Sequence, residues 1–148
     1  MWKHEEDIEI AATPAQVWDL FADVAGWKQW NSGIEKIEMH GAFANGTTFS
    51  MQPPGEDAFT STLVDVRRNE CFTDETVIDG TRVLVHHRIE PLAPGRVKVA
   101  YSTEITGPGA ADFGPMVTAD FPDVLQSLKR VAEDAANSRP QQVAFRSS

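Results

Sequence analysis

Two adjacent histidines, His86 and His87, are the residues of this 148-residue chain that first invite a chemical reading. They sit in an apolar-rich run, Arg82 to Ile89, that alternates like a strand, so their side chains point to opposite faces. They cannot share one metal ion, and no convergent set of His, Cys or carboxylate ligands is legible elsewhere. Cys71 is alone in the sequence. That excludes an intrachain disulfide and a thiolate cluster, and reads as a small, half-buried strand residue. G-x-S-x-G, P-loop and G-x-G-x-x-G motifs are absent. Gly107-Pro108-Gly109 is glycine-rich but lacks the strand-to-helix setting of a phosphate loop. Neither a metal nor a cofactor is expected.

Alternation sorts the remaining polar candidates. Val97, Val99, Tyr101, Thr103 and Ile105 share one strand face, against Lys98, Ala100, Ser102 and Glu104. In the preceding segment Val83, Val85, His87 and Ile89 oppose Arg82, Leu84, His86 and Arg88. His87, Tyr101 and Thr103 therefore face inward, with Phe49 and Met51 from an earlier strand. A tyrosine hydroxyl can donate or accept, and a neutral imidazole does one at each nitrogen. His87 also reads as a core histidine satisfied by a backbone carbonyl. In segments 58–67 and 71–78 the inward register stays open, because Phe72 and Ile78 compete with Cys71 and Val77. Either Asp74 or Glu75 could be the inward carboxylate.

The elements that position these residues follow from periodicity and turns. Residues 4–10 alternate with a charged back face. Thr13-Pro14-Ala15-Gln16 opens a helix with a capping box and a proline at its first position. Val17, Leu20, Phe21 and Val24 supply its apolar stripe, Gly26 a stop, and Trp27 to Asn31 a second short turn. Ile34 to His40 reads as the second strand. Strands are then expected at 47–52, 58–67, 71–78, 82–90 and 96–106, punctuated by Asn45-Gly46, Asp79-Gly80 and Pro94-Gly95. From Pro115 to Ala136 the period becomes helical, with Val117, Phe121, Val124, Leu125, Leu128, Val131 and Ala132 near one face. Pro122 inside that helix should bend it. The order predicts an α+β fold: about seven antiparallel strands curved around one long C-terminal helix, with two short helices after strand 1. A long amphipathic helix buries its stripe only against the concave side of such a sheet.

One domain is expected over residues 1–137, followed by a polar, flexible tail at 138–148. The net charge is −9, from 13 basic and 22 acidic residues. That sign repels phosphate backbones and anionic surfaces, which argues against nucleic acid as a partner. Nothing approaches a membrane span or signal peptide, so no membrane insertion and a cytoplasmic location are expected. The chain would be a monomer or homodimer.

Three stretches carry a family resemblance: Ala12-Thr13-Pro14-Ala15-Gln16-Val17-Trp18-Asp19-Leu20-Phe21, Trp27 through Trp30-Asn31, and Leu128-Lys129-Arg130-Val131-Ala132-Glu133. With the element order, they resemble the helix-grip superfamily of polyketide cyclase/dehydrase-like proteins, START lipid-transfer domains and birch-pollen-allergen-type proteins. The resemblance implies a cavity between sheet and helix. It would be walled by Trp30, Phe49, Met51, Val117 and Phe121, with His87, Tyr101 and Thr103 as polar contacts. A mostly apolar hollow with a few convergent polar groups suits a small hydrophobic or amphipathic molecule. The alternative implied is a cyclase or dehydratase working by proton transfer, with His87 as acid or base and Tyr101 polarising a carbonyl. A co-chaperone-like interaction domain is the third. Fold transfers across such a superfamily far better than function does.

Overall fold

The computed structural model describes the backbone of residues 1–147 and the side chains of residues 1–137. Seven strands form one antiparallel sheet: β1 (Trp2–Ile10), β2 (Lys36–Met39), β3 (Thr48–Gln52), β4 (Phe59–Arg67), β5 (Cys71–Ile78), β6 (Thr81–Ala93) and β7 (Arg96–Thr106). Their order is β1-β7-β6-β5-β4-β3-β2. Strands β2 to β7 thus form a meander, and β1 closes against the last of them. Asp79 and Gly80, at φ of 50° and 79°, make the two-residue hairpin between β5 and β6, as their types require.

Three helices complete the fold: α1 (Pro14–Ala22), α2 (Ala110–Thr118) and α3 (Phe121–Ser147). At α1 the capping box forms in full. The Gln16 N–H donates to Thr13 Oγ1 (3.1 Å), and the Thr13 N–H donates to Gln16 Oε1 (2.8 Å). The helix stops at Ala22, ahead of Gly26, which instead lies in a 3₁₀ turn at Val24–Gln29. That turn delivers Trp27 and Trp30 to the interior. The Trp27 indole N–H donates to the Phe21 carbonyl at 2.9 Å, fixing the turn to the end of α1.

The C-terminal helical region departs from the continuous, bent helix expected at 115–136. It is two helices, α2 starting at Ala110, with a break at Ala119-Asp120. Pro122 is not a helix-interior residue. It stands second in α3, in the first turn, where the missing N–H has no helical partner to lose. The apolar stripe runs on across the break, which is why periodicity alone reads it as one helix. Gly114 of α2 lies flat against the Trp2 indole, so close that a Cβ there would overlap the ring. That contact docks α2 on β1. The backbone of α3 runs to Ser147; the flexible tail expected at 138–148 lies outside the described side chains.

The core lies between the concave sheet face, α1 and α3. Phe121, Val124, Leu125, Leu128 and Ala132 of α3 are buried against it, as are Val17, Trp18 and Phe21 of α1. No helix among the described residues is long and apolar enough to cross a membrane.

Candidate functional site in the concave interior

Cross-strand register assigns the inward side chains row by row. One row reads Glu6, Tyr101, His87, Phe72 and Val66 across β1, β7, β6, β5 and β4. The next reads His4, Thr103, Val85, Asp74 and Leu63. The register of β5, open in the sequence, is thereby fixed: Phe72, Asp74 and Thr76 face in, while Glu75 and Val77 face out. A bulge between Leu63 and Asp65 in β4 shifts the phase of the neighbouring strand, so alternation there could not decide the matter.

The first row is filled with rings. Phe72 stacks on His87 with centroids 3.8 Å apart and planes 7° from parallel. Phe21, Phe43 and Trp27 meet Phe72 at 5.0, 5.2 and 5.7 Å. Phe49 packs edge-on to Trp27, and Trp30 leans on Phe21 and Trp27. Tyr101 is held between His87 (4.5 Å) and Phe121 (5.6 Å). Among the expected cavity residues, Trp30, Phe49 and Phe121 therefore touch one another's neighbours inside an aromatic cluster. Met51 and Val117 are partly buried at its margin.

His87 is inward, but its chemistry is largely committed. Its Nδ1–H donates to the Phe72 carbonyl at 3.1 Å, because a carbonyl only accepts. Burial depresses its pKa from 6.5 to about 3, against the opposing pull of that hydrogen bond. The ring is neutral throughout the physiological range and has no proton to deliver from Nε2. Its neighbour His86 faces outward, between the Thr73 hydroxyl (2.9 Å) and Glu104 (2.8 Å). The Thr103 hydroxyl donates to the Leu84 carbonyl at 2.7 Å and keeps only acceptor capacity.

Tyr101 is different. The residue is 4% exposed, and its hydroxyl is buried with no hydrogen-bond partner among the described residues. Buried phenols nearly always find one. Burial, then the nearby charges of Asp74 and Asp120, push its ionisation well above the ordinary tyrosine range. Both carboxyls therefore approach the hydroxyl, although neither hydrogen-bonds it.

Asp74 is the residue that sequence reasoning left undecided. Burial raises its pKa from 3.8 to about 7. Protein crowds it closely, and part of its surface stays accessible. Among the described residues no hydrogen bond reaches its carboxyl.

Asp120, at the α2–α3 break, was not foreseen, and only the break itself could have pointed to it. Its carboxyl is exposed by surface area, but enough protein crowds it that desolvation raises its pKa, with Asp123 adding to the rise. It lies beside the Asn31–Gly33 loop: a Cβ on Gly33 would stand 3.1 Å from the Asp120 and Asn31 side-chain oxygens. Two polar segments thus meet at the rim of the interior.

A separate recess of about 480 Å³ opens at the β2 edge, between the 3₁₀ turn and β2–β3. Lys28, Glu35, Lys36 and Glu38 line it, and of the expected ligand contacts only Met51 does. It holds neither Tyr101 nor Asp74, so we place the candidate chemistry in the interior.

Comparison with known proteins agrees with this architecture. Among solved structures, the Zhui aromatase/cyclase from a Streptomyces species is similar, with a TM-score of 0.74 and 17% identity over 89% of this chain and 93% of that one. Norcoclaurine synthase from Thalictrum flavum gives a TM-score of 0.70 and 16% identity over 88% and 85%. The di-domain aromatase/cyclase BexL gives 0.70 and 20% over 88% of this chain and 46% of that one. At such identities the likeness carries the fold. No curated protein matches the chain at a significant level. The family model described as "Polyketide cyclase / dehydrase and lipid transport" matches residues 1–133, nine-tenths of the sequence. The helix-grip fold with its inward Tyr101 and Asp74 is thus that of a member of the polyketide cyclase/dehydrase and lipid transport family, to which this chain belongs.

Proposed function

We propose that the chain binds a small, largely apolar molecule between the sheet and α3, and that the Tyr101 hydroxyl grips its polar head. The observation that carries this reading is the hydroxyl itself, sealed and unpartnered. Leaving a buried donor unmade costs about 1–3 kcal/mol, so a phenylalanine would serve the empty protein better. The charge of Asp74 reaches the hydroxyl, and the partly accessible apolar side chains Val85 and Val117 offer contact to a hydrophobic body. Family membership points the same way.

The test compares wild type with Tyr101→Phe by urea denaturation and by native mass spectrometry of the purified proteins. The expected variant is more stable by about 1–3 kcal/mol without ligand and no longer retains the small molecule that co-purifies with wild type. A variant that is destabilised and carries the same molecule would sink the proposal.

A second reading, catalysis by proton transfer, is favoured by the pKa of Asp74 near 7. An ionised Asp74 would take a proton from carbon next to a ketone, while Tyr101 hydrogen-bonds the carbonyl oxygen as negative charge develops. The enolate carbon would then attack a second carbonyl, and the protonated Asp74 would return its proton to the resulting alkoxide. One C–H bond is broken, one C–C and one O–H bond form, and the carboxylate is regenerated. Proton handling in this scheme belongs to Asp74, since His87 titrates near 3. Turnover of a poly-β-ketone should rise with pH through about 7 and vanish in Asp74→Asn.

A further inference from the structure

The charged residues of the sheet are divided by face. Every strand-borne lysine and arginine, namely Lys3, Lys36, Arg67, Arg82, Arg88, Arg96 and Lys98, falls on the outward alternation. The acids Glu6 and Asp74 fall on the inward one, and Asp120 stands at the rim. The inward bases are two histidines. His87 is neutral and bonded to the Phe72 carbonyl, and His4 is hydrogen-bonded to Glu6 at 2.6 Å. Among the described residues of α3 the buried side chains are apolar. The Tyr101 hydroxyl is buried without a hydrogen-bond partner among the described residues, with Phe121 edge-on to its ring at 5.6 Å.

Resting on the binding reading above, we propose that this interior takes an organic cation, an amine carried on an aromatic or alicyclic body, in preference to neutral or anionic ligands. An ammonium group is donor-only, and the site supplies acceptors: the Asp74 carboxylate, the phenolic oxygen of Tyr101 and the rim carboxylate of Asp120. With the ammonium donating to its oxygen, the buried Tyr101 hydroxyl gains a hydrogen-bond partner. A carboxylate or phosphate head would meet Glu6, Asp74 and Asp120, with no lysine or arginine on the inward face of the strands to offset them. Binding would also draw Asp74 into its ionised form, so the complex should release a proton where Asp74 is partly protonated.

The test uses the full chain and three single-ring probes that differ in head group: benzylamine, benzyl alcohol and benzoate. Each is titrated by protein-observed NMR at about pH 7, with calorimetry of the amine in two buffers of different ionisation enthalpy. Expected is binding of benzylamine about tenfold or more tighter than the alcohol, no saturable binding of benzoate, and release of up to about one proton with the amine. Asp74→Asn should bring the amine-to-alcohol ratio to about one. Asp120→Asn, a change at an exposed position that leaves the core intact, should lower it about two- to fivefold. Equal affinity for amine and alcohol, each displacing the other, would overturn the cation proposal and leave the binding reading standing. An amine preference that survives in both variants and disappears in about 0.5 M salt would overturn it too, as the diffuse attraction of an acidic protein. If none of the probes binds saturably, the binding reading falls and takes this proposal with it.

Discussion

On its convex face, the sheet of this protein is a lattice of exposed ion pairs: Lys3 with Glu104 (3.9 Å), Arg88 with Glu5 (3.7 Å), Arg96 with Glu9 (3.1 Å), Lys98 with Glu90 (3.2 Å), and Arg82 with Glu75. On its concave face the same strands present aromatic rings, threonines, and acids with no strand-borne lysine or arginine opposite them. Cross-strand neighbours thus satisfy the outer charges, while the inner polar groups Tyr101 and Asp74 are left short of partners. A protein built only to be stable would do the reverse, since an unmet group costs little in water and much inside. Incomplete satisfaction on the buried side is what supports the proposal that a ligand binds there.

The sharpest way to break this contrast is to truncate one apolar side chain on each face. Phe72 is 0% exposed and touches Phe21, Trp27, Phe43 and His87, whereas Val77, five residues on, is 61% exposed. Phe72→Ala should cost about 3–5 kcal/mol in urea denaturation, from lost burial plus the cavity left among stiff neighbours. Val77→Ala should stay within about 0.5 kcal/mol of wild type. A Phe72→Ala variant losing under about 1 kcal/mol would mean the aromatic cluster is loosely packed, and the contrast between the two faces would fail.

Next in size is the pH dependence, where two inward groups pull in opposite directions. The folded pKa of Asp74, near 7, lies above its ordinary 3.8, so folding binds a proton. Its contribution is fully present at low pH and is lost progressively as pH rises from about 4 to above 7. The folded pKa of His87, near 3, lies below its ordinary 6.5, so folding expels a proton. Its contribution is present above about 6.5 and lost as pH falls toward 3. Between about pH 4 and 6.5 the slopes oppose, and the wild type should be flatter than either variant. Asp74→Asn should be more stable than wild type by about 2–4 kcal/mol at pH 8, and the difference should vanish near pH 4. The lower end of that range allows for the carboxyl's residual accessibility. A denaturation series that shows a constant offset across pH would remove Asp74 from the interior.

How much of this was legible beforehand varies with the kind of interaction. The strands, their order and the inward set Val97, Val99, Tyr101, Thr103 and Ile105 follow from local alternation and turn chemistry, and all five are buried. Asp74 was legible as one of two choices. Both faces of β5 carry apolar residues, and the bulge at Leu63/Asp65 is an event between strands that no single strand records. The α2–α3 break was hidden by a stripe continuous through it, although Pro122 carried the signal: the residue before a proline is pushed off helical geometry, and a proline fits a first turn. Asp120 depends wholly on that break. Least legible was how far the rings of Phe21, Phe72, Trp27 and Phe49 would fill the interior, since volume left over is a property of the whole packing rather than of any periodicity.

The smallest effect expected lies on the convex face, in the ion pair of Arg82 with Glu75. The two side chains are 53% and 26% exposed, so water screens their attraction and ordering them costs rotamer freedom. A double-mutant cycle with Arg82→Gln and Glu75→Gln should give a coupling of about 0.2–1 kcal/mol, shrinking in high salt. The value matters because Glu75 occupies the strand position next to Asp74: the same carboxylate chemistry, one residue apart, lies on opposite faces of one strand. If the outward carboxylate couples by more than about 2 kcal/mol, its environment is as dry as the inward one, and face no longer explains why the pKa of Asp74 is pushed up to about 7. A small, salt-sensitive coupling at Glu75 beside a large pH effect at Asp74 would attribute the difference to the direction each side chain points.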